Sequence, residues 1–434
     1  MPRIADLVVL GGGPAGAVAA WLAAKDGLDV VLVDPCMAPE RVEGMSPRLH
    51  AWLAGRSLLA GFDGLVGPLS RISHWGESVR SENSEWLVSR AALDAHLRAA
   101  AVSAGAVLHR TSGRVAGRGR GMVRIALADG REFTAHRLFD ARGRKAHAGR
   151  RAARRGPSTL SICGWVETDG QDGDGPLSVS ILPIRDGWLW LARVTPNRAW
   201  AQFLGDADAP GAPIARLEAA LRDVAGRVPR TGRIAAGSLV VRDSAPVLMP
   251  PARDLSVLPI GDAAAAGDPL SGHGQFWAVS SALAATAVRR SLAARPGAAT
   301  EALAQRFLAE RMQEVFLRQS RVGRDFIRMM EPFREAPFWA RRRDFPDNAP
   351  LHTPSAGFET GRAVVVRDGL LEEADILKTP ASPSGVAWFG AIPAVEAWRA
   401  VSAGMPVERM VARWGDAARQ LPQIIARERS AAQH

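Results

Sequence analysis

The chain has no tyrosine and only two cysteines among its 434 residues. A tyrosine phenol is therefore excluded as a catalytic group, and Cys36 and Cys163 provide neither a disulfide framework nor the spacing of a zinc site. No run reaches the roughly 20 apolar residues that cross a bilayer, and the N-terminus leads into a strand pattern instead of a basic signal sequence. We expect a cytoplasmic protein with no metal site and no membrane partner.

Lysine is also scarce, so the net charge of +11 comes from arginine; the lysines are Lys25, Lys145 and Lys378. The densest basic run, residues 141–156, contains seven cations and no acid. Nucleic-acid binding surfaces interleave such cations with aromatic side chains, and this run has none. We therefore expect no nucleic-acid partner. A solvated loop is the preferred interpretation of the run, with an acidic protein partner as the alternative.

A glycine-rich turn near the N-terminus is typical of a dinucleotide site. Residues 4–34 read as strand, turn, small-residue helix and strand, and the turn carries G-x-G-x-x-G. The first glycine permits the tight turn, the second lets a pyrophosphate approach the backbone, and the third lets helix and strand pack closely. An acid ends the next strand and can accept from ribose hydroxyls. The predicted cofactor contacts here are Gly11, Gly13, Pro14, Ala15, Gly16 and Asp34.

A second glycine and acid site follows at "LPIGDAAAAGDPLSGHGQ", residues 258–275. A nicotinamide enzyme does not need it, whereas FAD is long enough to require contacts at its far end. Asp262, after Gly261, can bind ribityl hydroxyls, and Pro269 can lie against the flavin ring because it has no N–H to donate. The amides near Gly272 and Gly274 start a helix and can stabilise negative charge on the reduced flavin. The sequence thus favours FAD.

These motifs, with "DARG" at residues 140–143, resemble the three motifs of the flavoprotein monooxygenases related to p-hydroxybenzoate hydroxylase. "EGMSPRLHAWL" at 43–53 and "WLVSRAALDAHL" at 86–97 also resemble segments of that family. The resemblance covers roughly residues 4–342 and implies that Ser46, Arg90 and Gly143 face FAD. It further implies transient reduction by NADH or NADPH, capture of O₂ as a flavin C4a-hydroperoxide, and attack on it by an electron-rich ring.

The pattern along the chain predicts an α/β fold with three parts. Residues 1–160 and 235–344 are expected to form a discontinuous Rossmann-like FAD-binding domain. Period-2 segments within 161–234 predict an inserted antiparallel sheet that holds the substrate, as in p-hydroxybenzoate hydroxylase-like proteins. After a Pro/Ser-rich linker, residues 358–434 predict a small C-terminal α+β module, faintly similar to winged-helix domains that recognise leader peptides. A helical cap over the flavin domain is the alternative.

Catalytic candidates are few. His273 is the titratable side chain expected beside the flavin, either for proton delivery or for loop packing, and Pro269 is expected against the ring. Trp188 and Trp190, in "DGWLWLARV", share one face of a strand and form either a substrate wall or ordinary sheet packing. His74 and Glu77, in "SHWGE", are expected to lie in a surface turn, with the substrate side as the alternative.

"DGWLWLARV" is similar to a stretch of flavin-dependent tryptophan halogenases, but residues 26–144 contain no lysine to deliver the hypohalous species. The segment 238–274 and "PFWARRR" at 337–343 resemble instead the flavoprotein monooxygenases that mature tryptophan-derived quinone cofactors, such as the cysteine tryptophylquinone of quinohemoprotein amine dehydrogenase. That resemblance implies hydroxylation of a tryptophan in a polypeptide partner, the small-subunit precursor of a quinoprotein. Oxygenation or halogenation of a free indole or phenol, and a flavin-bound assembly protein without turnover, remain as alternatives.

Overall fold

The computed structural model describes residues 4–76, 79–119, 121–167, 177–228, 232–351 and 357–430. The strands are β1 Ile4–Leu10, β2 Val30–Val33, β3 Val42–Met45, β4 Leu65–Ser73, β5 Arg80–Ser89, β6 Val107–His109, β7 Gly113–Gly119, β8 Met122–Leu127, β9 Glu132–Asp140, β10 Arg154–Arg155, β11 Thr159–Glu167, β12 Val179–Ile184, β13 Gly187–Thr195, β14 Arg198–Asp206, β15 Val240–Asp243, β16 Val247–Leu248, β17 Val257–Pro259, β18 Ala265–Ala266, β19 Glu359–Arg367, β20 Leu370–Lys378, β21 Trp388–Phe389 and β22 Ile392–Pro393. The helices are α1 Pro14–Lys25, α2 Pro47–Ala54, α3 Arg90–Ser103, α4 Pro213–Asp223, α5 Gly274–Ala294, α6 Ala298–Arg328, α7 Pro337–Ala340, α8 Ala394–Ser402, α9 Val407–Trp414 and α10 Leu421–Ser430.

The chain forms two compact units. The first comprises Met1–Thr286 and Leu308–Asn348, and the second comprises Ala287–Phe307 and Ala349–His434. No helix in the described ranges is long and apolar enough to cross a membrane. Glu77, one of the candidates for the substrate side, lies outside the described residues.

The first sheet of unit 1 confirms the predicted Rossmann-like core. Its order is β6-β2-β1-β9-β8-β7, and β17 also pairs with β9, at residues 138–140, beyond the residues that pair with β8. β1 is parallel to β2 and β9, and β17 is parallel to β9 although it lies more than a hundred residues later. The short apolar runs are buried on both faces, as parallel strands require. The strands β8 and β9 form an antiparallel hairpin turned at Asp129 and Gly130.

The second sheet is larger than the insert predicted over 161–234. Its order is β15-β11-β14-β13-β12-β4-β5-β3, so residues 42–89 supply three strands and residues 240–243 a fourth. The predicted antiparallel meander of β12, β13 and β14 is present. β4 joins it by pairing in parallel with β12, a long-range contact that local sequence pattern does not encode. The division into an FAD domain and a substrate domain stays a prediction.

Apolar clusters cover both faces of the second sheet. Helix α4 packs Leu217 and Leu221 against one face. On the other face Trp339, from "PFWARRR", is fully buried and its Nε1 donates to the carbonyl of Ile184 at 3.0 Å. The sheet core is therefore apolar on both sides, which explains why β12 and most of β13 lack the alternation of a half-exposed strand.

The second unit contains the predicted C-terminal elements. β19 and β20 form a hairpin turned at Asp368 and Gly369, and α8 to α10 follow as short helices. Ile392, Met410 and Leu421 are buried among them. Ser291, from the helical segment Ala287–Phe307, accepts the Leu371 N–H at 2.7 Å, so this unit includes more than the predicted residues 358–434. The winged-helix interpretation stays a prediction.

Candidate active site

The first glycine turn links β1 to α1 and contacts the predicted "DARG" motif. A Cβ built on Gly11, whose φ is +101°, would lie 2.3 Å from the Ala141 carbonyl oxygen, and one on Gly16 would lie 1.8 Å from the Gly11 oxygen. Both positions therefore require glycine. Gly13 is different, because the nearest described atom to its Cβ position is Arg90 Nη2 at 3.9 Å. The start of α1 thus faces open space at the predicted position of a pyrophosphate.

Asp34 follows β2 and is held by backbone amides. Its Oδ2 accepts the Gly12 N–H at 2.6 Å and its Oδ1 accepts the Cys36 N–H at 2.7 Å. Each carboxylate oxygen has a second lone pair, so the group can still accept ribose hydroxyls. Arg98, which the sequence did not single out, lies 3.6 Å from Asp34 and donates to the Gly12 carbonyl at 3.2 Å. Arg98 thereby fixes the carboxylate beside the turn.

Arg90 is the first residue of α3 and is buried in an ion-pair cluster. Its Nη1 donates to Glu43 at 2.8 Å and its Nε to Asp94 at 3.2 Å. Burial alone would raise the pKa of Glu43, but the guanidinium groups of Arg90 and Arg41 outweigh it and hold that pKa well below its usual range. The sequence placed Arg90 toward the cofactor, and the structure places it beside Gly13. Ser46 caps α2, its Oγ accepting the Leu49 N–H at 3.3 Å.

The substitution Glu43→Gln tests whether the ionised Glu43 carboxylate stabilises this cluster, because its effect on stability should depend on pH. The folded-state pKa of Glu43 is lowered, so its contribution to stability is present above the unfolded pKa of about 4.3 and is lost as pH falls below it. We expect the free energy of unfolding of the variant to be about 2 kcal/mol lower than that of the unchanged protein near pH 7. This difference should shrink below roughly pH 4. Urea unfolding of both proteins between those pH values measures it. A difference independent of pH would contradict the assigned ionisation.

The second glycine and acid site meets the first one. Gly261 has φ +58°, and a Cβ there would lie 3.0 Å from Cβ of Ala15 in the first turn of α1. The Gly261 N–H donates to Ser281 Oγ at 2.7 Å. Asp262 is partly exposed and its Oδ2 lies 3.8 Å from Nε of Arg144, which follows Gly143 in the "DARG" turn. All three predicted motifs therefore converge around the start of α1.

The loop from Pro269 to Gly274 is shaped by its own side chains. Asp268 Oδ1 accepts the Leu270 N–H at 2.9 Å, and Gly272 takes a left-handed conformation with φ +67°. Gly272, His273 and Gly274 are exposed. The Trp277 N–H makes the first backbone hydrogen bond of α5, to the His273 carbonyl at 2.9 Å, so the amides of the preceding helical residues point outward from the helix start.

His273 has its Nδ1 against the Ser271 carbonyl oxygen. Partial burial, together with the charges of Arg318 and Arg48, lowers the pKa of His273 against the opposing effect of that carbonyl. The imidazole is thus favoured in its neutral form, in which a ring nitrogen can accept a proton.

Trp188 and Trp190 lie on one face of β13 and are buried in the cluster that also contains Leu270 of the loop. The indole Nε1 of Trp190 donates to Glu85 Oε1 at 3.2 Å. Burial raises the pKa of Glu85, against the lowering effects of Arg71 and of this hydrogen bond. A Cβ on Gly44 would lie 1.8 Å from Glu85 Oε2, so glycine there makes room for the carboxyl group.

Glu85 was not among the site residues predicted from the sequence, although its position in the strand pattern pointed to it. It shares the period-2 face of β5 with buried Leu87, and an acid on a buried face is unusual. His74, the other candidate for the substrate side, uses its backbone N–H to bond the Ile181 carbonyl at 3.0 Å.

FAD fits this set of residues. The open space beside Gly13, the acid after β2 and the exposed helix start of α5 are the groups that could contact its phosphates, ribose and flavin. Among the described residues no group of three or more His, Cys, Asp and Glu side chains is arranged to hold a metal ion.

Known proteins resemble the chain in parts and as a whole. Residues 6–165 match the family model described as lycopene cyclase protein. The menaquinone reductase of Mycobacterium tuberculosis is 32% identical over 230 residues, which are 47% of this chain and 53% of that protein. The chain therefore spans about half the length of this curated relative. The flavin-dependent halogenase CmlS is 16% identical over 98% of this chain and 94% of its own, with a TM-score of 0.70, and shares the fold.

A second solved structure also matches from end to end. It is a peptidyl tryptophan dihydroxylase, QhpG, essential for tryptophylquinone cofactor biogenesis. It is 31% identical, covers 99% of this chain and 100% of its own, and has a TM-score of 0.82. Because similarity at this level extends over the complete alignment, including both the glycine motifs and the second sheet, the chain belongs to the family of the peptidyl tryptophan dihydroxylase QhpG.

Proposed function

We propose that this chain is an FAD- and NAD(P)H-dependent monooxygenase of the cytoplasm that hydroxylates a tryptophan side chain in a polypeptide, during maturation of a tryptophylquinone cofactor. The observation that carries the proposal is the end-to-end similarity to a peptidyl tryptophan dihydroxylase. The apolar cluster that contains Leu270 of the loop Pro269–Gly274 together with Trp188 and Trp190 supports the proposal. This cluster would give an aromatic substrate an apolar wall beside the flavin ring. Free Cys36 and Cys163 suit a reducing compartment.

Binding and positioning are the first contribution of the protein. The start of α1 would hold the pyrophosphate, Asp34 would hold the ribose and Asp262 would hold the ribityl chain. Pro269 would present an apolar surface to the flavin ring, and the amides at Gly272 and Gly274 would stabilise negative charge at its edge. The buried side chains of Trp188 and Trp190 would help to exclude water from the reacting atoms. FAD, when bound and reduced by NADH or NADPH, supplies the electrons that activate O₂ for transfer of an electrophilic oxygen to the indole ring.

Proton transfer is the second contribution. Glu85 lies against Trp190 on the apolar wall, and burial raises its pKa, which shifts it toward the protonated form relative to an exposed glutamate. Partial burial lowers the pKa of His273, which in its neutral form can accept a proton beside the loop Pro269–Gly274. Because the two pKa values shift in opposite directions, Glu85 is the proposed acid and His273 the proposed base.

The test starts with the purified protein and its visible spectrum. NADH and NADPH oxidation are followed with a tryptophan-containing peptide, with the same peptide carrying phenylalanine instead, and with free indole. We expect a yellow protein that adds one or two oxygens to the tryptophan peptide alone, read by mass spectrometry. Stimulation by free indole or phenol without peptide modification would indicate small-molecule metabolism, and a flavin-bound protein inert to every substrate would indicate an assembly role.

A further inference from the structure

Three arginines approach the exposed turn at Gly272–Gly274 from three different elements. Arg71 comes from β4, and its Nη1 lies 3.9 Å from the Cβ position of Gly272. Arg48 comes from α2, and its guanidinium carbon lies 4.5 Å above the ring of Phe276 in the first turn of α5. Arg318 comes from α6 and precedes Gln319, whose Oε1 lies 1.7 Å from the Cβ position of Gly267 just before the turn. Its charge acts on His273 together with those of the other two arginines. We call Arg48, Arg71 and Arg318 the arginine rim.

The positive charge of the arginine rim is not neutralised by ion pairs. Within the described ranges no carboxylate lies within 4.0 Å of these three guanidinium groups, whereas Arg90 and Arg98 beside the first glycine turn both contact acids. Glu85 acts electrostatically on Arg71 but lies beyond ion-pair distance. Grouping three like charges without partners costs free energy, and the field that they create attracts an anion to the turn.

The position of the arginine rim favours carboxylates of a polypeptide over one phosphate. Arg48 and Arg318 are exposed, so they face a partner at the surface and not a ligand enclosed in the core. Arg71 lies beside Gly272, whereas Arg48 lies over the ring of Phe276, so the two guanidinium groups contact different residues. A polypeptide can bring a separate carboxylate to each of them.

We propose that the arginine rim binds acidic side chains that flank the target tryptophan of the polypeptide substrate. The proposal rests on the proposed function and specifies its substrate as an acidic segment. It also assigns roles to residues on β4, α2 and α6, none of which belongs to a glycine motif. Carboxylates held at the rim would orient the intervening indole toward the wall of Trp188 and Trp190.

Binding of labelled peptides to the oxidised, FAD-loaded protein tests the proposal without turnover. One peptide has aspartate and glutamate on both sides of the tryptophan, and its isosteric control has asparagine and glutamine. We expect the acidic peptide to bind about 5- to 10-fold more tightly, with the ratio falling toward one as salt rises from about 0.05 to about 0.5 M. In the double variant Arg48→Gln/Arg318→Gln we expect the ratio to fall to about one at low salt.

The matched control is Arg150→Gln/Arg151→Gln, which removes two exposed charges from the dense basic run and should keep the preference. Equal binding of both peptides by the unchanged protein would overturn the inference. So would a raised KM for NADPH in the Arg48/Arg318 variant without any change in the peptide ratio, which would assign the rim to a phosphate. Charge-dependent binding without oxygen insertion would sustain the inference and refute the proposed function, whereas insertion without charge dependence would do the reverse.

Discussion

Gly13→Ala should give a protein that folds normally and purifies with little or no FAD. The backbone at Gly13 has φ −70° and ψ −176°, which alanine adopts without strain, and the added methyl group would meet only Arg90 Nη2 at 3.9 Å. The same methyl group would occupy the space that the predicted pyrophosphate needs. Overpacking of this kind costs about 1–3 kcal/mol, so we expect the Kd for FAD to rise about 10- to 100-fold. Flavin fluorescence titration of the apoprotein measures the change.

The control for this prediction is Gly16→Ala. Its methyl group would lie 1.8 Å from the Gly11 carbonyl oxygen, so β1 and α1 would have to separate even without cofactor. We expect this variant to lose thermal stability as apoprotein, whereas the apoprotein of Gly13→Ala should melt like the unchanged chain. Full retention of FAD by Gly13→Ala would refute the phosphate position.

Asp206→Ala should destabilise unit 1 by about 3–5 kcal/mol. Asp206 ends β14 and is buried, and its Oδ1 accepts from Arg342 Nη1 at 2.7 Å. Arg342 is itself buried and also donates to the Thr159 hydroxyl at 2.8 Å. Removal of the acid leaves a buried guanidinium group without its counter-ion, which costs much more than the pair contributes. A shift of the urea midpoint, at unchanged slope, measures the loss.

Asp208→Ala is the matched control for Asp206→Ala. Asp208 is exposed and its carboxylate lies 3.5 Å from Arg341, so its removal should change the free energy of unfolding by less than about 1 kcal/mol. The double variant Asp206→Ala/Arg342→Met should recover part of the stability, because it removes both charges from the interior. Equal effects of Asp206→Ala and Asp208→Ala would show that the buried pair is not stabilising the unit.

The glycine turns could be predicted from the sequence because each of these glycines is required by the local backbone conformation or by a close backbone contact. Gly11 and Gly272 have positive φ, and Gly16 permits a close backbone approach, so these positions carry their signal in the residue type itself. The Rossmann-like core and its FAD site followed from that signal together with the strand patterns. The contacts among the three motifs agree with a common site, because Ala15 lies against Gly261 and Gly11 lies against Ala141.

The residues that sequence reasoning missed come from non-local pairing. Glu85 reaches Trp190 because β5 joins the sheet through β4 and β12, and nothing in the sequence near residue 85 specifies that pairing. The arginine rim likewise combines β4, α2 and α6. Because the chain is rich in arginine, the local sequence does not distinguish these three arginines from the others. Only their position around one turn does so.

The contact between Ala15 and Gly261 also bears on the stage of synthesis at which the cofactor can bind. The glycine turn and Asp34 lie within the first 34 residues, but β17 and the Gly261 turn that packs against Ala15 are translated more than 220 residues later. A nascent chain therefore presents the glycine turn to the cell long before its partner exists. We therefore expect stable FAD capture only after the Gly261 turn has been synthesised and has packed against α1.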